Sequence, residues 1–555
     1  MTEQPVPQSV EDQRLRIERA LRAAARAGNR MLAGGLASVE IADPALNGGL
    51  RTALARMGVR IVSGRQIDPP VPVEFAFSDT IPPSSTAEGE GRSDRLPAVR
   101  VALSSGSAVV VDSPRGEAPD ARIAWAAQGM PVTADLAEQL RRATGTRAPR
   151  VAVSLVLEPK TAAFTLALAA AGCEVALFSA VNETDPDIAA ALAATGRVAV
   201  FAPMTDAAAP EDRLPFAGSP EADARDAANA AAILDWGPEL LIDDGSHLVR
   251  LAHTERPEVF TVLRAAAEET TSGVRPLHEM AAAGDLRIPV IAVNDARTKM
   301  DFDNLIGTGQ SCVFAIGDLL DSGDPEYQGI AGTRWAVLGY GPVGRGVARF
   351  AAALGAEVTV VERDPVRALS ALHDGYAAAA AVTALPEADV VVSATGVWHT
   401  LDAAGFAALR PGAVVAVAGG IDDELALDDL RSAGWASIDR GPRIAEWRAP
   451  GAGSGPLVLA EGGGVNYSAG EGNPIEVMDL SFATQLAALL RLLAADLPAG
   501  VHALSGFEEE IVARAALRAR GGSADRAPAT ARPGGAAQHW AVHRYRSEHR
   551  SDQDG

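Results

Sequence analysis

The feature that most constrains the fold is a rhythm beginning near residue 120. Short apolar runs recur, several closing on glycine or a polar residue: "RVAVSLVLE", "CEVALFSA", "GRVAVFAP", "PELLIDDG", "IPVIAVND", "RWAVLGYG", "EVTVVERD", "ADVVVSATG", "GAVVAVAGG" and "GPLVLAEGG". Between them lie Ala- and Leu-rich stretches such as "KTAAFTLALAAAG". Apolar runs of strand length that alternate with helical segments suit parallel sheets covered by helices on both faces. The reading is an α/β chain of doubly wound sheets. The polar residues that close the runs stand where such sheets place ligands.

One of these units carries a cofactor signature. In "WAVLGYGPVGRGVARFAAALGAEVTVVERDP", Gly339, Gly341 and Gly344 form GxGxxG between a strand and a helix. Gly339 permits the tight turn, Gly341 lets the backbone approach a pyrophosphate, and Gly344 lets helix and strand pack closely. The helix N-terminus adds N–H donors and a positive dipole end. A second strand ends at Glu362, near the spacing expected for a ribose-binding carboxylate, which repels a 2′-phosphate. The expected cofactor is therefore NAD.

Bulk properties exclude several classes. A formal net charge of −22 leaves no basic field to gather phosphates, so no nucleic-acid partner is expected. No apolar run reaches the length of a membrane span and the N-terminus has no apolar signal core, which predicts a cytoplasmic protein without a membrane partner. Two cysteines, Cys173 and Cys312, support neither a disulfide framework nor a thiolate metal cluster, and no metal is expected. Residues 1–118 depart from the rhythm. Arg14–Gly35 reads as a helix, "GVRIVSG" and "VEFAF" as strands, and "VRVALSSGSAVVVD" as a hairpin turned at "SSGS". This is an extra α+β segment with no visible chemistry. Residues 519–555, rich in Ala, Arg, Gly and Pro, read as a flexible tail.

Lysine is almost absent. Arg serves for nearly every positive charge, yet Lys160 stands in "LEPKTA" and Lys299 in "NDARTKMDFDNLIGTGQS". These two segments belong to an ordered series: "RIAWAAQGMPV", "LEPKTA", "LLIDDG", "EETTSGV", "NDARTKMDFDNLIGTGQS", "GYGPVGRG", "VERDP", "SATG" and "AEGGGVNYSAGEGNPIEVMDLSFATQ". The series resembles the S-adenosylhomocysteine hydrolase family from about Arg122 to about Arg518. The resemblance implies two Rossmann-like domains: a substrate domain over 119–318, an NAD domain over 319–476, and a return to the substrate domain over 477–518. It implies a homo-oligomer acting on an adenosine-type small molecule. The family's chemistry oxidises the 3′-hydroxyl of the ribose, removes the acidified C4′ proton and eliminates the 5′ substituent. Water then adds and the ketone is reduced again. Matching positions make Lys299, Asp303, Asp244 and Glu269 the expected catalytic set. Glu158, Thr161, Thr270, Asn304 and Met478 are the expected substrate contacts. Thr271, Asn294, Thr395 and Asn466 join the glycines and Glu362 at the cofactor. A lysine near neutrality can take the 3′-hydroxyl proton, whereas a guanidinium is never deprotonated.

The chain also departs from the family, and each departure is a missing histidine. Val156, Gly420 and Asn473 stand where histidines are usual. Val156 cannot carry a proton, so oxidation and C4′ deprotonation look preserved while events at C5′ look altered. Hydrolysis of S-adenosylhomocysteine or a related elimination is expected. A catalytically silent NAD- or adenosine-binding paralogue is the alternative, and net NAD turnover a third reading. His247, His278 and His399 have no role in the resemblance, and Lys160 stands below Glu158 and Thr161 as a contact. "HWAVHRYRSEH" offers Tyr545 but no lysine for the family's intersubunit cap.

Overall fold

The computed structural model describes residues 10–62, 73–81, 96–103, 109–205, 219–323, 327–419 and 423–525. The "SSGS" turn, most of the loop at 81–97, Gly420, Tyr545 and the tail beyond 525 lie outside the described residues.

The expected rhythm becomes two large sheets. The first contains β6 (Arg150–Ser154), β7 (Glu174–Phe178), β8 (Val198–Phe201), β9 (Leu240–Asp243), β10 (Ala265–Glu268) and β11 (Pro289–Ala292), numbered after five N-terminal strands β1–β5 given below, and it is completed by a return strand, Gly500–His502. Its order is return strand-β11-β10-β9-β6-β7-β8, parallel throughout. The strand order reverses between β6 and β9.

The second sheet contains β12 (Arg334–Leu338), β13 (Glu357–Val361), β14 (Ala377–Ala378), β15 (Val390–Ser393), β16 (Val414–Val417), β17 (Ala436–Gly441), β18 (Ile444–Arg448) and β19 (Leu457–Leu459). Its order is β14-β13-β12-β15-β16-β19-β18-β17, with an antiparallel β17–β18–β19 margin. Here the order reverses between β12 and β15. Valines fill these central strands because both faces are covered: Val391, Val392 and Val415 have no exposed surface.

The N-terminal segment is a five-stranded sheet: β1 (Leu36–Glu40), β2 (Arg60–Ile61), β3 (Phe75–Ser78), β4 (Val99–Leu103) and β5 (Val109–Asp112), in the order β2-β1-β3-β4-β5. Only β4–β5 is antiparallel, and it forms the expected hairpin arms. Strand β1 and the helix Pro44–Met57 were not read from the sequence, although Asp43 capping a helix with Pro at its start is a recognisable signal. The first helix runs Val10–Gly28, stopping earlier than expected because the chain turns left-handed at Asn29 (φ 48°).

That segment is docked on the rest of the chain. Arg22 is buried among Glu18, Asp318 and Asp321. Tyr327 donates to Glu18 at 2.6 Å, and Trp125 donates its indole N–H to the carbonyl of Gly28 at 2.8 Å. Gln310 donates to the Arg30 carbonyl and accepts from Leu32 N.

The helix Ile475–Ala494 is, among the described residues, the one long and apolar enough to cross a membrane. It is instead mostly buried, packing along the helix Pro131–Thr144, and Phe482 stacks on Phe164 at 4.4 Å. Burying such a side chain contributes about 1.5–3 kcal/mol. Both cysteines are buried and free.

Candidate functional site

In open α/β sheets ligands bind beyond the carboxyl ends of the strands where the strand order reverses. The two reversals here open on one cleft of about 1730 Å3. Every expected catalytic, substrate and cofactor residue lines it except Gly344, which is buried beneath the dinucleotide turn.

Lys299 owes its position to an unusual helix. The chain leaves β11 through a short turn and a single helical turn, Arg297–Lys299. It then winds as a π-helix over Met300–Gly307 before continuing as the α-helix Thr308–Gly323. The wide i→i+5 winding, often found at functional sites, brings Asn304 over Lys299. Lys299 Nζ donates to Asn304 Oδ1 at 2.6 Å and pairs with Asp303 Oδ2 at 3.0 Å; Glu269 Oε1 stands 3.8 Å away. Asn304 donates to Asn294 Oδ1 at 2.9 Å, which also accepts from Thr271 Oγ1 at 3.1 Å. Lys299, Asp303, Asn304, Glu269 and Asn294 are all buried.

The charge balance corrects one expectation. Burial acts to lower the Lys299 pKa, but the charges of Asp303, Glu269 and Asp244 outweigh it, and the amine sits above its ordinary value. Lys299 is therefore a buried ammonium rather than a lysine near neutrality. The carboxylates move instead. Burial raises Glu269 against the opposing charge of Lys299 and hydrogen bonds from Gln485 and Ser481. Burial also raises Asp244, against a hydrogen bond from Thr270 and the charge of Lys299. Carboxyls raised in this way hold a proton more readily than free ones, a property suited to proton transfer.

Behind this group lie two acids that the sequence reading passed over. Asp243 is fully buried, accepts from Val249 N at 2.8 Å through one oxygen, and is pushed up to about 7 chiefly by burial. Glu268 accepts the backbone N–H groups of Gly245, Ser246 and Thr270 and the Thr270 hydroxyl, so it shapes the turns that present Asp244 and Thr270. A side chain at Gly273 would overlap this carboxylate, its Cβ lying 2.2 Å from Oε1.

The other end of the cleft fits a dinucleotide. Gly339 has φ 89°, and a Cβ at Gly344 would lie 2.0 Å from the Gly339 carbonyl. A Cβ at Gly341 would meet nothing nearer than Arg367 Nη1 at 3.9 Å, so the backbone at this helix start is open to the cleft. Glu362 accepts from the backbone N–H groups of Tyr340, Arg363 and Asp364; although burial opposes it, these donors hold its carboxyl below the ordinary value, ionised. Thr395 is fixed by Glu424. Asn466 is buried, donates to Asn473 at 3.2 Å and leaves its own Oδ1 without a hydrogen-bond partner, an acceptor suited to a carboxamide N–H. These groups fit NAD.

At the base end, Glu158 caps the helix Pro159–Ala170 and accepts from Lys160 N and Nζ at 2.9 and 2.7 Å, while Thr161 Oγ1 lies 3.4 Å from its other oxygen. Lys160 also donates to the Glu471 carbonyl and faces away from the cleft, so it holds Glu158 rather than lining the site. Met478 closes this end beside Phe482.

Asn473 is the largest surprise. Read from sequence as a lost histidine, it donates to Asp303 Oδ1 at 2.6 Å and to Thr308 Oγ1 at 2.9 Å, and accepts from Ser311 at 2.7 Å. It thus bridges Asp303 to Asn466. Ser481 and Gln485, which hold Glu269, were likewise not singled out; they lie in the quoted "DLSFATQ", but only packing shows which side chains meet. His399 is held between Asp428 and Asp429 on the cofactor side, whereas His247 lines the cleft beside Asp244.

Comparison with known proteins agrees with this geometry. A family model described as S-adenosyl-L-homocysteine hydrolase, NAD binding domain, matches residues 326–472. An adenosylhomocysteinase from Thermotoga maritima is 38% identical over 376 residues, covering 67% of this chain and 87% of the relative. An S-inosyl-L-homocysteine hydrolase from Methanopyrus kandleri is 37% identical, covering 65% and 81%. Its counterpart from Methanosarcina mazei is 36% identical, covering 74% and 94%.

Proposed function

The chain belongs to the S-adenosylhomocysteine hydrolase family of NAD-dependent enzymes, and from that premise we propose that it acts on a 5′-substituted purine nucleoside through transient oxidation at C3′. The observation that carries the reading is the buried Lys299–Asp303–Asn304–Glu269 set, which shares one cleft with a dinucleotide turn.

Gly339, Gly341 and Gly344 hold the pyrophosphate of NAD, Glu362 its adenosine ribose, and Thr271, Asn294, Thr395 and Asn466 its nicotinamide half. When bound, NAD supplies the reversible oxidation of the 3′ carbinol to a ketone. Lys299 and Asn304 grip the sugar oxygens, and the hydroxyl proton leaves along the Lys299–Asp303 pair. Because Lys299 stays charged, its second task is to stabilise the oxyanion that grows on O3′ when the C4′ proton is lost. Asp244, raised by burial, takes that proton. Glu269, anchored by Ser481 and Gln485, fixes the height of Lys299. Glu158, Thr161, Thr270 and Met478 receive the nucleoside. S-Adenosylhomocysteine and S-inosylhomocysteine, the substrates named for the relatives, are the first candidates. The same reading takes the protein to be a cytoplasmic homo-oligomer with no nucleic-acid or membrane partner, in keeping with its net charge of −22.

The test is direct. Adenosine added to NAD-loaded protein should raise the absorbance of reduced nicotinamide, and Lys299→Ala should abolish it. No absorbance change with the native protein, or full turnover by the variant, would sink the reading.

A further inference from the structure

We infer that His247 is the acid–base residue for the 5′ substituent, a position that rests on the reading above. Strands β6 and β9 are neighbours, pairing Ser154 with Asp243, and the turns that leave their carboxyl ends lie side by side, Asp244 N donating to the Ser154 carbonyl at 2.9 Å. One turn carries Val156 and the other Asp244 and His247, and all three line the cleft. Valine can neither give nor take a proton. Breaking the C5′ bond sends an electron pair to the departing atom, which needs a proton to leave as a neutral group.

The local backbone is shaped to present the imidazole here. Gly245 (φ 69°) and Ser246 (φ 53°) are both left-handed, so the chain doubles back before the helix His247–Thr254 begins. The ring of His247 then lies against Gly245: a Cβ at that position would stand 2.5 Å from Nε2 and 2.6 Å from Cδ2. Among the described residues neither ring nitrogen has a hydrogen-bond partner, and the side chain is exposed on the cleft wall. The other imidazole on the cleft, His399, has its two ring nitrogens 3.0 and 3.3 Å from carboxylate oxygens of Asp428 and Asp429, on the cofactor side. Lys299, Asp303 and Glu269 are tied to one another, whereas the His247 imidazole stands unengaged beside Asp244 on this wall.

The step balances as follows. The C4′ proton passes to Asp244 and its pair moves onto the 3′-ketone as an enolate. The enolate then collapses, its pair forming the C4′–C5′ double bond while the bond from C5′ to its substituent breaks with its pair going to the substituent, and His247 gives that atom a proton. In the return direction the imidazole takes a proton from water as the oxygen bonds to C5′, and C4′ regains its proton from Asp244.

Adenosine itself is the probe, because its 5′-hydroxyl can leave and return. NAD-loaded protein is incubated with adenosine in D2O enriched in H218O, and the nucleoside is recovered for mass analysis. Deuterium at C4′ reports oxidation and deprotonation; 18O at C5′ reports elimination and water addition. The native protein should introduce both. His247→Gln should keep deuterium incorporation within about threefold but lose 18O incorporation by at least about a hundredfold, the usual contribution of a positioned acid–base group. His247→Ala should regain 18O incorporation with added imidazole. A Gln variant that exchanges oxygen at the native rate overturns the assignment, as does one that loses both labels together. Native protein that takes up deuterium but no 18O overturns the role of His247 alone; no deuterium at all overturns the parent reading and this one with it.

Discussion

Gly346 offers a sharp test of how the site is held. It lies on the helix Pro342–Ala353 that begins at the dinucleotide turn, and it faces the π-helix carrying Asp303 and Asn304. A Cβ at Gly346 would sit 1.9 Å from the carbonyl oxygen of Leu305, where real contacts essentially never fall below 3.0 Å; on the other side Gly309 approaches the same residue, its own ideal Cβ lying 2.6 Å from Gly346 Cα. The obstructing atoms are backbone, so no rotamer change relieves the clash. In Gly346→Ala the helices must part by roughly 1 Å, and overpacking of this kind costs about 1–3 kcal/mol. Leu305 adjoins Asn304, so the displacement reaches the ribose-binding groups. A shift of about 1 Å at a reacting centre can lower kcat about a hundredfold. Thermal melting and steady-state turnover of NAD-loaded protein measure the two effects, with Tm expected to fall by about 1–3 °C for a chain of this length. Gly48→Ala is the control: the site is open, lies within the helix Pro44–Met57, and should stabilise by up to about 1 kcal/mol. A Gly346→Ala protein with native Tm and native kcat refutes the argument that this crossing sets the register of the site.

Three further outcomes are expected. Glu362→Ala removes an ionised carboxylate, so NADP should gain at least about tenfold on NAD in relative affinity by calorimetry; an unchanged ratio refutes the assignment. Asp243, raised to about 7 in the fold, binds a proton more tightly folded than unfolded, so its contribution to stability is present below the ordinary aspartate value near 4 and is lost as pH rises through about 7. Asp243→Asn should flatten that limb of the stability–pH curve, measured by urea melts from pH 4 to 8. Asn473→Ala strips Asp303 and Thr308 of a donor, and at about 1–3 kcal/mol for the unmet groups kcat/KM should fall by roughly 5- to 150-fold; native kinetics would show that the bridge is idle.

Much of this was legible in the chain because it is encoded locally. The alternation of apolar runs with helical stretches requires parallel, two-sided sheets, since period and burial are properties of neighbouring residues. GxGxxG followed by a strand ending at Glu362 specifies a dinucleotide turn because its conformational demands fall on a few adjacent positions. Lys299, Asp303 and Asn304 share a few turns of chain, and their grouping could be read before any fold was known.

Tertiary structure decided what depends on contacts between distant segments. Asn473 meets Asp303 across 170 positions, and Gln485 meets Glu269 across 216. Neither pairing has a local signature. The charge state of Lys299 was misjudged for the same reason: composition shows a lone lysine, but only the fold shows the carboxylates that surround it and outweigh its burial. His247, unremarkable in sequence, reaches the cleft because two left-handed residues turn it there and because β9 lies beside β6. Local pattern determined the fold class and the cofactor turn; the identity of the groups that share a proton was decided where the two sheets' reversal points came together.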